Sequence, residues 1–418
     1  MIYCATGRPI LAILIFVSIF QFSLEAKTLK VGQGSQYSSI TGAIKAARNG
    51  DTIMVQPGKF AEGKIIVDKR VVLMGDNFPV IEGDGKSDVI FVDADSVTIS
   101  GFEIINTGIS YINDIAGIKI NGHRYCIIET NRLLNTFFGV YLKHAAHCIV
   151  RNNEIAGQAT QEASSGNAIH LWYSKNIEIT SNNCKKHRDG IYLEFVEQSH
   201  ISDNLSEGNL RYGLHFMFSN NDEYISNTFR NNGAGVAVMF SRVITMRNNL
   251  FENNWGPSSY GLLLKDILDG EITGNVFREN TIGIYADGSN RIKITGNEFR
   301  QNGWALKVLG SCMDNTISGN NFLSNTFDLI TNTSTNYNRY EGNFWSEYTG
   351  YDLDKDGIGD IPYKPVKLFS MIVSNLPVSI ILLRSSFVDL INFAEKVTPS
   401  LTPPALADNS PLMKRIPR

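Results

Sequence analysis

The chain has 418 residues, of which 43% are apolar and 19% are charged, and its formal net charge is −3 at pH 7. These proportions describe a folded chain with a large core and exclude a disordered one. The small net charge gives no basis for a nucleic-acid partner.

The first predicted element is a signal peptide over residues 1–26. Arg8 precedes the apolar block PILAILIFVSIFQFSLEA, which ends at Ala26 before a polar stretch. A basic start, an apolar centre and a small residue at the boundary are typical of secretory signals. The block is short for a membrane span of about 20 residues, which makes an uncleaved anchor the weaker alternative. We therefore expect export, with cleavage near Ala26.

A short helix near residue 40 is the second predicted element. Ser38 or Ser39 can cap its first turn, and Gly50 can end it. Residues at helical spacing form one apolar stripe, which consists of Ile40, Ala43, Ile44 and Ala47. Because a long repeat follows, we expect this helix to cover the first coil of that repeat, whose edges are otherwise open.

A repeat of roughly 22 residues organises the predicted main domain, residues 27–350. One half of it reads φ-x-x-N-x-φ, where φ is apolar, as in ITGNVF and ISGNNF. The other half reads small-φ-x-φ, as in GIYL and GLHF, with the same period and the same insertions. The asparagine of the first half recurs at Asn131, Asn153, Asn182, Asn204, Asn227, Asn249, Asn275, Asn297, Asn320 and Asn343.

Short alternating segments rich in Ile, Val and Tyr, broken by Gly and Asn, predict strands and not helices. Stacked at this period they predict an all-β fold, a parallel β-helix solenoid. One asparagine per coil fits a turn with left-handed backbone angles, and its amides can bond along the stack.

The small-φ-x-φ motif predicts which side chains face outward. Its φ residues point into the coil, so the x residue and the residue two places later point out. Coils in register stack these side chains about 4.8 Å apart in two outward columns, which we expect to be exposed to solvent. The first outward column reads Lys119, Tyr141, His170, Tyr192, His215, Ala237, Leu263, Tyr285 and Lys307. The second outward column reads Asn121, Lys143, Trp172, Glu194, Met217, Met239, Lys265, Asp287 and Leu309.

Thioether and imidazole ligands at this spacing suit Cu(I), and not calcium or magnesium. The predicted copper residues are His215, Met217, Met239, His170 and Glu194, which would hold the ion loosely enough for transfer. The alternative is a patch without metal that docks a partner protein, to which Trp172 and Tyr192 would contribute aromatic contacts. His144 and His147 are expected to be solvated turn residues.

The cysteines of the mature chain are predicted to fill the core. Cys126 and Cys148 occupy an inward position of the repeat, and so does Cys184. Four cysteines, counting Cys312, are too sparse for a disulfide framework in a chain of this length.

Residues 351–365 form a loop rich in Asp and Gly. YDLDKDGIGD resembles the first half of a calcium loop, with its carboxylates at Asp352, Asp354, Asp356 and Asp360. The twelfth position is Tyr363 and not Glu, so we expect a structural calcium site and no calcium sensor. The alternative is a turn that only ends the solenoid.

Residues 366–418 form an apolar tail. Asn375, Pro377, Arg384 and Asp389 interrupt it, which argues against a membrane span. Two short amphipathic helices hinged near Pro377 fit better, followed by an extended arm. We expect the tail to cap the solenoid, to dock onto a membrane partner, or both, through the apolar residues Leu382, Leu383, Phe387, Leu390 and Ile391.

Several stretches together resemble the NosD family of periplasmic maturation proteins of nitrous oxide reductase. They are RYGLHFMFSNN, the coils spaced by asparagine, GNFWSEYTGYDLDKDGIGDIPY and the apolar tail. The repeat alone is shared with pectin-lyase-like β-helices, whereas the H-x-M strand joined to this tail is more specific. The resemblance implies a right-handed β-helix in the periplasm.

The same resemblance implies partners and a task. The partners are an ABC permease with its ATPase at the inner membrane, a copper-chaperone lipoprotein and apo nitrous oxide reductase. The task is copper delivery, with help in sulfide loading, for the copper cluster of the reductase, and this chain is then not an enzyme.

A polysaccharide lyase or epimerase, or a carbohydrate-binding protein, is the competing class. Such β-helix enzymes place their catalytic groups on the outer face, where Tyr192, His170 and Glu194 offer acid–base chemistry. No cluster of Asp, Arg and Lys lines the patch to bind a uronate, and the methionines would have no purpose. The sequence therefore favours the maturation factor.

Overall fold

The computed structural model describes residues 26–110, 112–333, 337–398 and 406–417. The predicted signal peptide, apart from Ala26, lies outside these residues. Within them the chain winds into three sheets of parallel strands around one core, which confirms the predicted parallel β-helix.

A complete coil of the solenoid contributes one strand to each sheet, and the coils at the ends contribute fewer. The 14-stranded first sheet contains Thr28–Val31, Thr52–Val55, Val72–Gly75, Thr98–Ser100, Ile127–Glu129, Ile149–Arg151, Glu178–Thr180, His200–Ser202, Glu223–Ile225, Arg242–Arg247, Leu268–Thr273, Lys293–Thr295, Met313–Ser318 and Tyr337–Glu341. The 12-stranded second sheet contains Ile65–Val67, Ile90–Val92, Ala116–Asn121, Phe138–Lys143, Ile169–Trp172, Ile191–Glu194, Tyr212–Met217, Ala234–Met239, Leu262–Lys265, Ile282–Asp287, Trp304–Val308 and Phe327–Ile330. The 13-stranded third sheet contains Lys59–Phe60, Val80–Glu82, Glu103–Ile105, Arg132–Leu134, Glu154–Ala156, Asn183–Lys185, Leu205–Glu207, Thr228–Arg230, Leu250–Glu252, Val276–Arg278, Glu298–Arg300, Asn321–Leu323 and Phe344–Trp345.

The recurring asparagines form a buried ladder between the first and third sheets, which we call the asparagine ladder. In a typical rung, Asn204 donates its backbone N–H and its Nδ2 to Oδ1 of Asn227, each at 2.9 Å. Nδ2 also donates to the carbonyl of Ile179, and Oδ1 accepts from Asn182. The predicted bonding along the stack is therefore present.

The predicted left-handed backbone belongs to a different residue. The ladder asparagines do not have positive φ, and the residue before each of them does, for example Asp203 at 55° and Ser226 at 57°. The turn is thus made by the preceding residue, which leaves the asparagine free to point inward. A second amide ladder, absent from the sequence prediction, runs through Asn209, Asn232, Asn254, Asn280, Asn302 and Asn325.

The predicted N-terminal helix covers the first coil. Helix α1, Ile40–Ala46, is capped by Ser39, whose Oγ accepts from the N–H of Gly42 at 3.1 Å. The carboxylate of Glu62 accepts from the first two N–H groups of the helix, those of Ile40 and Thr41. The stripe that was predicted to face the core is buried.

The tail covers the other end. Helix α2, Leu368–Asn375, is followed by a 3₁₀ helix, Pro377–Leu382, and by helix α3, Ser386–Val397. Phe369 and Val373 of α2 and Val388 of α3 pack with Phe327, in the last strand of the second sheet. The break at Pro377 agrees with the predicted hinge.

Residues 406–417 return to the solenoid and are not a free extended arm. The buried carboxylate of Asp408 accepts from the N–H and Nδ2 of Asn343, both at 3.0 Å, and from Nε1 of Trp345 at 3.0 Å. Asp408 thus takes the place of the next asparagine and closes the asparagine ladder.

Candidate functional site

The predicted register of the outward columns is present in the second sheet. His170 pairs with Tyr192, and Tyr192 with His215. In the second outward column Glu194 pairs with Met217, and Met217 with Met239. The structure therefore brings both methionines and Glu194 onto three consecutive rungs.

The expectation that both outward columns are exposed is wrong for the first one. His215 is only 5% exposed and Tyr192 only 8% exposed. The rings contact one another along the column: His170 stacks on Tyr192 with centroids 4.8 Å apart, and Tyr192 meets His215 edge to face, also at 4.8 Å. Phe138 and Tyr212, which precede the motif in their strands, pack against the imidazoles and help to cover them.

Burial makes His215 a neutral imidazole. Desolvation lowers the pKa of His215 to about 4, although the nearby carboxylate of Asp189 acts in the opposite direction. Nη2 of Arg211 lies 3.4 Å from Nδ1 of His215, so Nδ1 is the acceptor and the ring proton is on Nε2. Nε2 has no hydrogen-bond partner among the described residues. In this state His215 offers copper no free lone pair at Nε2, contrary to its predicted role as a direct ligand.

His170 is also a poor ligand in this arrangement. Its ring is half-buried, and desolvation lowers its pKa to about 3. Nδ1 of His170 lies 2.9 Å from Nδ2 of Asn167, which can only donate. His170 therefore belongs to the covered ring stack.

The two methionines, in contrast, are half-buried and reachable from solvent. The hydroxyl of Tyr192 lies 3.7 Å from Sδ of Met217 and 3.3 Å from Oε2 of Glu194. Burial, followed by the charge of Glu194, raises the pKa of Tyr192, so its phenol keeps its proton and orients both groups. Met217, Met239 and Glu194 thus lie on adjacent rungs as candidate ligands for a soft ion, and the hydroxyl of Tyr192 contacts two of them.

A row of aromatic side chains beside this site was missed by the sequence reasoning. It consists of Tyr173, Phe195, Phe218 and Phe240, here called the aromatic row. Ring centroids in the row are 4.5 to 5.1 Å apart, and Tyr173, Phe218 and Phe240 are between 39% and 48% exposed. Three of these residues directly follow Glu194, Met217 and Met239 in the chain, which is the signal that could have revealed them.

The aromatic row is held in left-handed backbone conformation. Its four φ angles lie between 47° and 53°, a region that bulky residues rarely occupy. The equivalent corners of neighbouring coils are occupied by His144, Asp266 and Gly288, and aspartate and glycine tolerate this region more easily. Four rings in this conformation next to two methionines make this stretch a candidate functional surface.

Trp172, predicted to dock a partner, is half-buried at the start of the second outward column of the patch. Nζ of Lys143 lies 4.5 Å from its ring centroid, and the ring of His144 lies 5.1 Å away. One face of the indole is therefore already occupied by a cation.

Three of the four predicted calcium ligands come together. Carboxylate oxygens of Asp352, Asp354 and Asp356 lie within 4.8 Å of one another. Asp360 is not in this group, and its Oδ2 accepts from the N–H of Leu353 at 2.8 Å. The calcium site stays a prediction, now with three carboxylates.

The docking face predicted for the tail is only partly available. Leu383 and Ile391 pack against the cluster of Phe327 and Phe369 and are not free to bind a partner. Leu382, Phe387 and Leu390 are between 38% and 63% exposed. No helix in the described part of the chain is long and apolar enough to cross a membrane.

Comparison with known proteins shows what the chain resembles. A family model described as "Periplasmic copper-binding protein (NosD)" matches residues 155–350. A "Probable ABC transporter binding protein NosD" from Pseudomonas aeruginosa is 28% identical over 378 residues, which are 85% of this chain and 87% of that protein. A protein of the same description from Stutzerimonas stutzeri is also 28% identical and covers 84% of this chain and 85% of its own length. The chain is therefore similar to NosD proteins over most of its length.

Solved structures similar to this chain show the same fold. A family 28 exopolygalacturonase from Yersinia enterocolitica aligns with a TM-score of 0.56 at 10% identity, covering 77% of this chain and 78% of the enzyme. The A-module of a mannuronan C-5 epimerase from Azotobacter vinelandii aligns with a TM-score of 0.51 at 14% identity, covering 73% of this chain and 88% of the module. The alignments support the fold, and at these low sequence identities they carry no functional argument.

The side chains of Met217, Met239 and Glu194 are of types that fit a soft cation. Two thioethers are ligands that favour Cu(I) over hard cations, and Glu194 adds one oxygen. The family-model match begins at residue 155 and contains all three residues.

Proposed function

We propose that the chain is a periplasmic accessory protein that receives or passes Cu(I) during assembly of the copper cluster of nitrous oxide reductase. The observation that carries this proposal is the pairing of Met217 with Met239 on adjacent rungs, half-buried and next to Glu194. The family description, with its reference to copper, supports the choice of cargo.

The donor set suits transfer more than storage. Thioethers are neutral and weak ligands, so Cu(I) held by two of them leaves readily when a stronger ligand approaches. Met217 and Met239 lie on an outer face, where the ligands of a second protein can reach the ion. His215 then acts behind the site, as a buried neutral ring that supports Tyr192.

Docking to an ABC transporter is the second part of the proposal. The relatives in two pseudomonad species are described as ABC transporter binding proteins. In this chain Leu382, Phe387 and Leu390 expose apolar surface on one end of the solenoid, away from the rungs of the methionines. We propose that these residues contact a permease at the inner membrane, while the methionine face remains open to a copper-chaperone lipoprotein and to the apo reductase.

Copper binding is tested by removing both thioethers. The double variant Met217→Leu with Met239→Leu keeps the apolar volume, so we expect normal folding and a Cu(I) affinity at least about tenfold weaker in competition with a chromogenic chelator. The matched control is Met313→Leu, since Met313 is 45% exposed on the first sheet. An unchanged affinity in the double variant refutes the copper site.

The role in maturation is tested in cells. A strain with the double methionine variant should produce a reductase with less copper in its cluster than a strain with Met313→Leu. A fully loaded reductase in the double variant contradicts the proposed delivery. Deleting residues after 366 should separate the protein from its permease, and unchanged co-purification contradicts the docking role of the tail.

We propose no enzymatic activity for the chain. A lyase or epimerase needs a base at its surface, whereas the pKa of Tyr192 is raised by burial and by Glu194. His170 and His215 are covered by neighbouring rings. Incubation with alginate or polygalacturonate should therefore give no unsaturated product, and the appearance of one overturns this assignment.

A further inference from the structure

Two cysteines occupy the same position in consecutive coils. Cys126 precedes the strand Ile127–Glu129, and Cys148 precedes the strand Ile149–Arg151. The two strands pair in register, and the N–H of Ile149 donates to the carbonyl of Cys126 at 2.9 Å. Each cysteine is only 1% exposed. The two are therefore direct neighbours along the stack.

Their sulfurs have equivalent surroundings one rung apart. Sγ of Cys126 lies 3.6 Å from the carbonyl of Arg124, and Sγ of Cys148 lies 3.4 Å from that of Ala146, and these two residues form a bridge between the coils. Each thiol donates to backbone carbonyls, Cys126 also to that of Ala94 at 3.5 Å and Cys148 also to that of His123 at 3.8 Å. Strands in register are about 4.8 Å apart, which lies within the Cα separations of disulfides.

The other described cysteines lack such a neighbour. Cys184 pairs with Ile155 on one side and Ser206 on the other. Cys312 lies far along the solenoid, next to the strand Met313–Ser318. The pairing of two sulfurs is thus specific to one pair of rungs.

We propose that Cys126 and Cys148 form a disulfide when the chain folds in an oxidising compartment. This inference rests on the export that is part of the proposed function, because buried thiols in a reducing compartment stay reduced. The sequence argument against a disulfide framework does not apply to one bridge between adjacent coils.

The chemistry is thiol–disulfide exchange. We assign the first attack to the thiolate of Cys126, which precedes Cys148 in the chain. It attacks an oxidised dithiol protein or glutathione disulfide before the coils have closed over it. The thiolate of Cys148 then displaces the mixed disulfide, so two S–H bonds are lost, one S–S bond forms, and the oxidant leaves as two thiols.

The bridge has a consequence for a protein that handles copper. Thiolates bind Cu(I) more tightly than thioethers, so a reduced pair in the exported chain competes with Met217 and Met239 while the chain is still folding. Forming the disulfide removes both thiolates and leaves the surface site as the place where copper is held.

The test counts blocked thiols in full-length protein exported to the periplasm. The protein is denatured in guanidinium with an alkylating agent, before and after reduction, and its mass is measured. We expect two alkyl groups before reduction and four after it, and a tryptic fragment that joins Cys126 to Cys148. Cys184→Ser should give one alkyl group before reduction and three after it, whereas Cys126→Ser should give three in both cases.

Four alkyl groups before reduction overturn the inference, and so does a bridge between any other two cysteines. The same sample is checked for removal of residues before 27 and for Cu(I) binding. If the signal is removed and copper binds while all four thiols react, the disulfide is refuted and the proposed function stands. If the protein is not exported, the proposed function fails first, and refolding in a glutathione buffer then tests the bridge directly.

Discussion

The asparagine ladder and the outward face of the second sheet belong to the same coils, yet they differ in how their polar groups are satisfied. Along the ladder, Asn204 has partners for its amide nitrogen and its amide oxygen. On the outward face, Nε2 of His215 has no partner among the described residues, and Phe195 and Phe218 are held in left-handed conformation. The ladder repeats almost unchanged, whereas the face changes from rung to rung.

The asparagine ladder stabilises every coil that it crosses, whereas the outward face gives one stretch of the solenoid a surface of its own. Unpaired groups and strained backbone persist where surrounding structure holds them in place, and they concentrate at functional sites. The regular ladder supplies that support for the rungs from His170 to Met239. Substitutions in the ladder should therefore lower the free energy of unfolding, and substitutions on the outward face should lower the affinity for Cu(I).

The largest effect should come from acid, which tests whether the covered face is part of the folded core. Burial lowers the pKa of His187 and His215 to about 4, from an ordinary value of 6.5. The unfolded chain therefore takes up protons first, so stability is complete above pH 6.5 and is lost as the pH falls toward 4. The loss should be roughly 3 kcal/mol for each ring.

Denaturant unfolding between pH 7 and pH 4 measures this loss. His215→Gln should remove about half of the loss of stability that the two histidines cause between pH 7 and pH 4, because only His187 still titrates. If the variant and the parent lose the same free energy of unfolding, His215 is not buried in its neutral form.

The second effect is on the asparagine ladder. Asn204→Ala leaves the N–H of Asn182 and the carbonyl of Ile179 without their partners inside the core. We expect unfolding to require about 3 to 5 kcal/mol less, since each unsatisfied buried group costs about 1 to 3 kcal/mol. The control Asn121→Ala, at an exposed strand end, should change stability by less than about 0.5 kcal/mol.

At a temperature where Asn204→Ala is still folded, its Cu(I) affinity should equal that of the parent. A weaker affinity there means that the ladder and the face are coupled, and the division between them is wrong.

The third effect isolates the hydroxyl beneath the copper residues. Tyr192→Phe keeps the ring contacts with His170 and His215 but removes the hydroxyl contacts with Met217 and Glu194. Without this orientation Cu(I) affinity should fall on the order of tenfold, as for other groups that support a ligand. Tyr285→Phe, in the same column on a distant rung, should have no effect on chelator competition, and equal losses in both variants argue against the role of Tyr192.

The smallest effect is expected in the aromatic row. Phe218→Asn loses ring contacts with Phe195 and Phe240 but relieves backbone strain, because asparagine accepts left-handed angles. The lost ring contacts and the relieved strain are each about 1 kcal/mol and have opposite signs, so the midpoint of thermal unfolding should change little. Tyr125→Asn, at a left-handed corner elsewhere, is the control, and a large loss of stability in Phe218→Asn alone shows that the row is structural.

The coil and its register were predictable because two motifs repeat with the same insertions, which fixes the neighbours of Met217 and Met239 without coordinates. The burial of His215 was not predictable. The rings that cover it belong to Tyr192 on the neighbouring rung and to Tyr212, which precedes the motif in the same strand. The aromatic row lies one residue beyond the second outward column, at the corner after the strand. The alternation of inward and outward side chains ends with the strand, so it does not predict the direction of these rings. Asp408 meets Asn343 across 65 residues, a distance at which no local pattern operates.

The contact of Asp408 with Asn343 and Trp345 makes closure of the ladder depend on a distant segment of the chain. Three donors at the end of the ladder have their acceptor 65 and 63 residues further on. A product that stops before residue 406 therefore lacks this acceptor, and its exposed last coil becomes a target for proteolysis.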